Sequence, residues 1–173
     1  MQASPEQKVQ FLELLTSHRG LLYKVSRVYG RCAAERADLV QEVVLNLWQA
    51  HPRYDSRLKF STWMYRIALN VAISWRRRET TQTQHLVPAG EEILENAGDL
   101  ETVDAGTDSD LALLYTSIER LDELDQALLV LYLDGLSHHD ISVVLGISTT
   151  NIATKIGRLK QRLRDDFRVA GHL

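Results

Sequence analysis

Cysteine is almost absent from this chain: one residue, Cys32, in 173. No internal disulfide can form, and the usage suits a reducing compartment. Proline is scarce too, with three residues. Few breakers, together with many Leu, Ala, Arg and Glu residues, point to a mostly helical chain. There is no run of about 18 apolar residues, so no membrane span is expected. The start, MQASPEQKVQ, lacks a basic segment followed by an apolar core and does not read as a secretory signal. A cytoplasmic location is the expectation. Also missing are a Gly-rich phosphate loop, zinc-spaced Cys/His pairs and a nucleophile placed beside a base. No catalytic residue, cofactor or metal site is therefore expected. His138, His139 and Asp140 are adjacent, and neighbours on a helix point apart.

One further absence is local. Residues 79–110 hold nine acids and no Lys or Arg. The net charge of −3 thus hides a segregation. Residues 51–78 carry seven bases against Asp55 alone. Residues 111–150 carry Arg120 against six acids, and residues 151–168 carry six bases against Asp165 and Asp166. Two basic patches separated by acidic sequence read as two footprints on a polyanion.

The apolar spacing predicts one or two helices over 7–30, with apolar positions Val9, Leu12, Leu15, Leu21, Leu22, Val25 and Val28. Over 38–50, Leu39, Val40, Val43, Val44, Leu47 and Trp48 form one stripe of an amphipathic helix. Pro52 stops it. A third helix spans 59–78, capped by Ser61 or Thr62. Its buried face is Phe60, Met64, Ile67, Ala68, Val71 and Trp75. Periodicity is then lost over 79–110, which reads as an acidic linker between two units. A segment carrying nine acids is also placed to lie across a basic patch. The helical pattern resumes from Leu111 to about Arg168. The fold class is all-α: two small helical domains joined by an acidic flexible linker, the second a helix–turn–helix.

The sharpest local signal is LSHHDISVVLGISTTNIATKIGRLKQRLR. Ser137 and Asp140 make a capping-box-like start. Ile141, Val144 and Leu145 face inward, and Gly146 ends the helix where a left-handed backbone is favoured. Ser148 caps the next helix, whose inner face is Ile152, Ile156, Leu159 and Leu163. This is helix–turn–helix spacing. Asn151, Thr154, Lys155 and Arg158 lie outward, followed by Lys160, Arg162 and Arg164. Short polar residues at a helix start with cations after them suit a major-groove reader.

Taken together, DLVQEVVLNLW, then FSTWMYRIALN, RRR, an acidic linker and a helix–turn–helix with LGIS resemble the small two-domain sigma factors of bacterial RNA polymerase, the extracytoplasmic-function group. The resemblance covers roughly residues 10–168 in the right order. It implies a region 2-like domain at 1–80, a linker at 81–110 and a region 4-like domain at 111–173. The implied function is to direct core polymerase to specific promoters and nucleate melting, without enzymatic activity.

By the same resemblance, Asp38, Gln41, Glu42 and Leu45 bind core polymerase. Tyr54, with Asp55 and Ser56, captures a flipped base of the −10 element. Trp63, Arg66, Asn70, Arg76 and Arg77 hold the opening strand, and Asn151, Thr154, Lys155 and Arg158 read the −35 element. The implied partners are the polymerase core, promoter DNA and an anti-sigma factor, with no direct membrane insertion. Aromatic and basic residues interleave on 59–78 because melting DNA offers both: unstacked bases for rings and phosphates for arginines. Histidines in HHDISVVLGIS and Ala153 in NIATKIGRLK depart from the family pattern and bear on −35 preference. Two rivals stand beside this reading: a stand-alone helix–turn–helix regulator and a sigma-like regulator that binds polymerase without starting transcripts.

Overall fold

The computed structural model describes residues 5–85 and 109–171. The described residues are helical throughout, with turns and no strand. The N-terminal unit comprises α1 (Pro5–Ser17), α2 (Arg19–Tyr29), α3 (Ala33–Ala50), a single 3₁₀ turn (His51–Arg53) and α4 (Phe60–His85). The C-terminal unit comprises α5 (Ser109–Glu119), α6 (Glu123–Leu133), α7 (His138–Leu145) and α8 (Thr149–Val169).

The buried residues of α3 are Leu39, Val43 and Leu47, spaced one per turn where α3 packs on α2 and α4. Val40, Val44 and Trp48, the other half of the stripe, are only half-buried. Pro52 has no amide hydrogen to continue the ladder, and α3 gives way to the 3₁₀ turn there. Before α3, Gly30 is packed so closely that a Cβ would lie 2.7 Å from Cγ of Arg36 and 3.0 Å from its backbone nitrogen. Only glycine lets the α2–α3 turn be this tight.

Helix α4 differs from expectation in three ways. It starts at Phe60, and the Trp63 amide bonds the Lys59 carbonyl at 3.1 Å. Neither Ser61 nor Thr62 is the cap, and Thr62 is buried inside the helix. It ends at His85, so residues 79–85 are helical rather than linker. Its buried set adds Tyr65, Leu69 and Ala72, while Ile67, Val71 and Trp75 are half-buried. The reason is that α4 is covered on two sides, by α2 and α3 and by α7 of the C-terminal unit. A single amphipathic stripe describes only the first contact. The remaining linker residues, 86–108, and the expectation that they lie across a basic patch, fall outside the described residues.

The helix–turn–helix follows its local signals. The Ser137 hydroxyl accepts the Asp140 amide at 3.0 Å, and the Ser148 hydroxyl accepts the Asn151 amide at 3.2 Å. Gly146 takes φ +69°, and a Cβ built there meets nothing within 4 Å. The glycine is thus required by backbone conformation and not by space. Gly146→Ala is expected to lower stability by about 1–2 kcal/mol, the cost of a left-handed alanine. A urea titration checks this, as a lower midpoint with unchanged slope.

The buried apolar side chains of both units form one continuous cluster, from Phe11, Tyr29 and Met64 to Leu129, Ile141 and Ile156. In this arrangement the two units are packed directly on one another.

Candidate polymerase and nucleic-acid surfaces

Three surfaces carry the residues singled out from sequence. The first lies on α3. Asp38, Gln41 and Leu45 are exposed, with Leu45 54% accessible. Glu42 is half-buried and accepts Arg78 of α4 at 2.5 Å. Gln41 and Leu45 form one wall of an apolar groove of about 570 Å³, with Val40, Val44 and Trp48 beside them and Phe11 and Leu12 of α1 opposite. Sequence reasoning missed the α1 wall. Val9 and Leu12, two of the apolar positions of this helix, are each 57% exposed. A strip of large apolar side chains is left beside Leu45 for a partner to cover.

The second surface begins at the 3₁₀ turn. Tyr54 is half-buried, its ring 4.9 Å from Trp63 and 5.4 Å from Phe60. Its hydroxyl donates to the Leu58 carbonyl at 2.7 Å, which closes the loop 54–58. Burial followed by the nearby Asp55 charge raises the Tyr54 pKa, so the phenol stays a donor. Arg57 grips Asp55 through Nε and Nη2, at 2.9 and 2.6 Å to Oδ2. That hydrogen bonding holds the Asp55 carboxyl below its ordinary range. Ser56 is exposed at the tip.

On α4, Trp63 is half-buried while Arg66 and Asn70 are exposed. Spaced by three and four residues, the three share one face. The structure thus brings the loop and this face together as one continuous surface. The arginine triplet behaves differently. Arg76 donates to Gln126 at 2.9 Å, Arg77 to Glu123 at 2.9 Å and Arg78 to Glu42 at 2.5 Å. Two of these acceptors belong to the C-terminal unit, a pairing no local pattern signals.

The third surface is the outer face of α8. Asn151, Thr154 and Arg158 are exposed along it, as are Thr149 and Thr150 at its first turn. Those two threonines were missed from sequence, although their place just after the Ser148 cap could have marked them. Lys155 is set apart from the outer row: half-buried, it donates to Asp125 of α6 at 2.7 Å. It braces α8 against α6.

Among the described residues, a helical unit with an aromatic and basic helix is joined to one with a helix–turn–helix, the architecture of a two-headed DNA-binding protein. The comparisons with known proteins give that class its family. Residues 14–82 match the model of Sigma-70 region 2, and residues 111–163 match that of Sigma-70, region 4. The chain belongs to the sigma-70 family, in its extracytoplasmic-function group.

Among its relatives is the RNA polymerase sigma factor CnrH of Cupriavidus metallidurans, 26% identical over 175 residues, covering 94% of this chain and 88% of that protein. Another is the ECF RNA polymerase sigma factor SigW of Bacillus subtilis, 26% identical over 170 residues, covering 91% and 89%. In three dimensions the chain is similar to the sigma factor RpoE solved in complex with the anti-sigma factor NepR from Bartonella quintana. That match has a TM-score of 0.69 at 18% identity and covers 96% of this chain and 99% of that one.

The chain is thus an RNA polymerase sigma factor, a transcription-initiation factor of a family that works without enzymatic chemistry. Among the described residues, no helix is long and apolar enough to cross a membrane.

Proposed function

We propose that this sigma factor docks on core polymerase through the α1–α3 groove around Leu45, reads a −35 element with α8, and opens a −10 element with the 54–58 loop and α4. The observation that carries this reading is the arrangement of the surfaces. The apolar groove, the aromatic loop and the row Trp63, Arg66, Asn70 lie on consecutive elements of one unit, and the exposed row Asn151, Thr154, Arg158 lies on the other.

Each surface suits its ligand. The groove offers apolar area rimmed by Lys8 and Gln41, which fits an amphipathic helix. Base stacking on aromatic rings contributes about 1–3 kcal/mol per base and offsets part of the cost of unstacking. Asn151 and Thr154 sit in the first two turns of α8 and Arg158 one turn further on, on the face where major-groove contacts are made. Tyr54 acts by shaping the loop through its hydroxyl bond to Leu58, and Ser56 and Trp63 present the contacts. Lys155 acts as a brace of α8. The chain divides into a region 2-like unit at 1–80, a connecting segment at 81–110 and a region 4-like unit at 111–173, a division supported by the matches at 14–82 and 111–163. The chain itself catalyses no reaction and works in the cytoplasm beside its polymerase. An anti-sigma factor is its natural antagonist, as NepR is bound to RpoE.

Run-off transcription from fragmented genomic DNA tests the reading, with bacterial core polymerase and with or without the protein. The expected result is a discrete set of new start sites sharing two upstream elements. Core binding without new starts would favour the sigma-like regulator instead.

A further inference from the structure

We infer that Asp125 of α6 is a positioning residue for DNA reading: it holds Lys155 away from DNA and leaves Arg158 and Arg164 as the phosphate contacts of α8. This rests on the reading of the outer face of α8 as a duplex surface, whose cations divide into those that bind DNA and those that hold the helix in place.

At about 100° per residue, the cations of α8 fall into two rows. Lys155, Arg158 and Arg162 run along one flank, Lys160 and Arg164 along the other. Between the rows lie Thr150, Thr154 and Gln161, all exposed and uncharged. The buried side, with Ile152, Ile156 and Leu159, is opposite. A helix about 10–12 Å across fills a major groove about 12 Å wide. The neutral strip then meets base edges, and the two flanks meet the two phosphate rows.

In each row the cation nearest the buried side is already engaged. Lys155 is half-buried and donates to Asp125 at 2.7 Å. Lys160 donates to the Tyr132 hydroxyl at 3.2 Å and lies 5.4 Å from the centre of that ring. Arg162 gives one Nη2 bond to the Arg120 carbonyl at 3.4 Å. Arg158 and Arg164 lie furthest around the helix from the buried side, and they have no acceptor among the described residues.

The acceptor of Lys155 is itself fixed. Asp125 lies in the first turn of α6, and its amide donates to the Asp122 cap at 2.9 Å. Its side chain is 19% accessible, so water screens the pair less than an exposed one. A phosphate that took Lys155 would leave this carboxylate half-buried without its partner, which is costly. Lys155 is also one turn beyond Asn151 on the same face, so the bridge fixes α8 at the level of its base contacts.

The test is fluorescence anisotropy of the full chain on a mixed-sequence duplex of about 20 base pairs, between roughly 50 and 200 mM salt. The slope of log affinity against log salt reads the number of phosphates neutralised. Arg158→Gln and Arg164→Gln are each expected to reduce its magnitude by about 0.9, the contribution of one phosphate. Lys155→Gln is expected to keep the wild-type slope, although it removes the same charge. Asp125→Ala frees Lys155 and is expected to steepen the slope by about 0.9, so its affinity relative to wild type grows about threefold from roughly 200 down to 50 mM salt. Combining Asp125→Ala with Lys155→Gln is expected to return the slope to the wild-type value. Circular dichroism confirms that each variant is folded. A purely structural role moves Asp125→Ala and Lys155→Gln together, since both break the same bridge. Lys155→Gln reducing the slope as much as Arg158→Gln, or Asp125→Ala leaving it unchanged, would overturn the inference while keeping α8 on the duplex. Wild-type slopes for both Arg158→Gln and Arg164→Gln would instead remove α8 from the duplex surface, and the role of Asp125 with it.

Discussion

Leu45→Glu is expected to weaken binding to core polymerase by about thirtyfold or more while leaving the protein folded. The two halves of that expectation come from different places. In the free chain Leu45 is 54% exposed, so a glutamate there keeps its carboxylate in water. Exposed substitutions of this kind change stability by about 0.5 kcal/mol or less. On a docked partner helix the same carboxylate is enclosed in a groove lined by Leu12, Val44 and Trp48, with Lys8 and Gln41 as its polar side chains. Truncating a central hot spot costs about 2 kcal/mol or more, and desolvating a carboxylate adds to it. At about 1.4 kcal/mol per decade, 2 kcal/mol is roughly thirtyfold. Titration of labelled core polymerase measures it, with a thermal melt as the folding control. Unchanged affinity would remove this groove from the docking surface. Glu42→Lys is a less clean probe, because Glu42 also holds Arg78 and its reversal sets two cations together.

What was legible in the sequence is what is decided locally. The caps at Ser137 and Ser148 and the left-handed Gly146 are fixed by residues within a few positions of one another. The α3 stripe and the inner face of α8 follow from helical period alone. Features set by distant pairing were not legible. The second buried side of α4 exists because α7 packs there, and nothing in the 59–78 pattern announces α7. The arginine triplet announced a polyanion, and the structure gives two of its members acceptors on α6. The α1 wall of the groove was missed for a related reason. Period tells which residues share a face, not whether that face meets the core or is left for a partner. Glu123, Asp134 and Asp140 of the C-terminal unit lie against cations of the N-terminal unit, and no local pattern announces those pairs either.

Arg66→Glu is expected to spare polymerase affinity and lower open-complex formation by at least tenfold, with Asn70→Ala acting in the same direction but less. Both side chains are exposed one turn apart on α4, and neither lines the α1–α3 groove. Their loss therefore leaves docking intact. Arg66 follows Trp63 by three residues on the same face, so a base stacked on the indole has its phosphate within reach of the guanidinium. Reversal removes one neutralised phosphate and adds repulsion. The salt dependence of single-strand binding should then fall by about 0.7 in its logarithmic slope, the contribution of one phosphate. A purely structural defect has no reason to change that slope. Permanganate footprinting of the −10 region, over a range of salt, reads opening and slope together. Arg66→Lys retains the charge and should restore the slope while recovering only part of the opening, since a point charge lacks the planar fork that can pair with a phosphate and lie against a ring. Full opening by Arg66→Glu would place the strand elsewhere on the unit and remove this row from the melting surface.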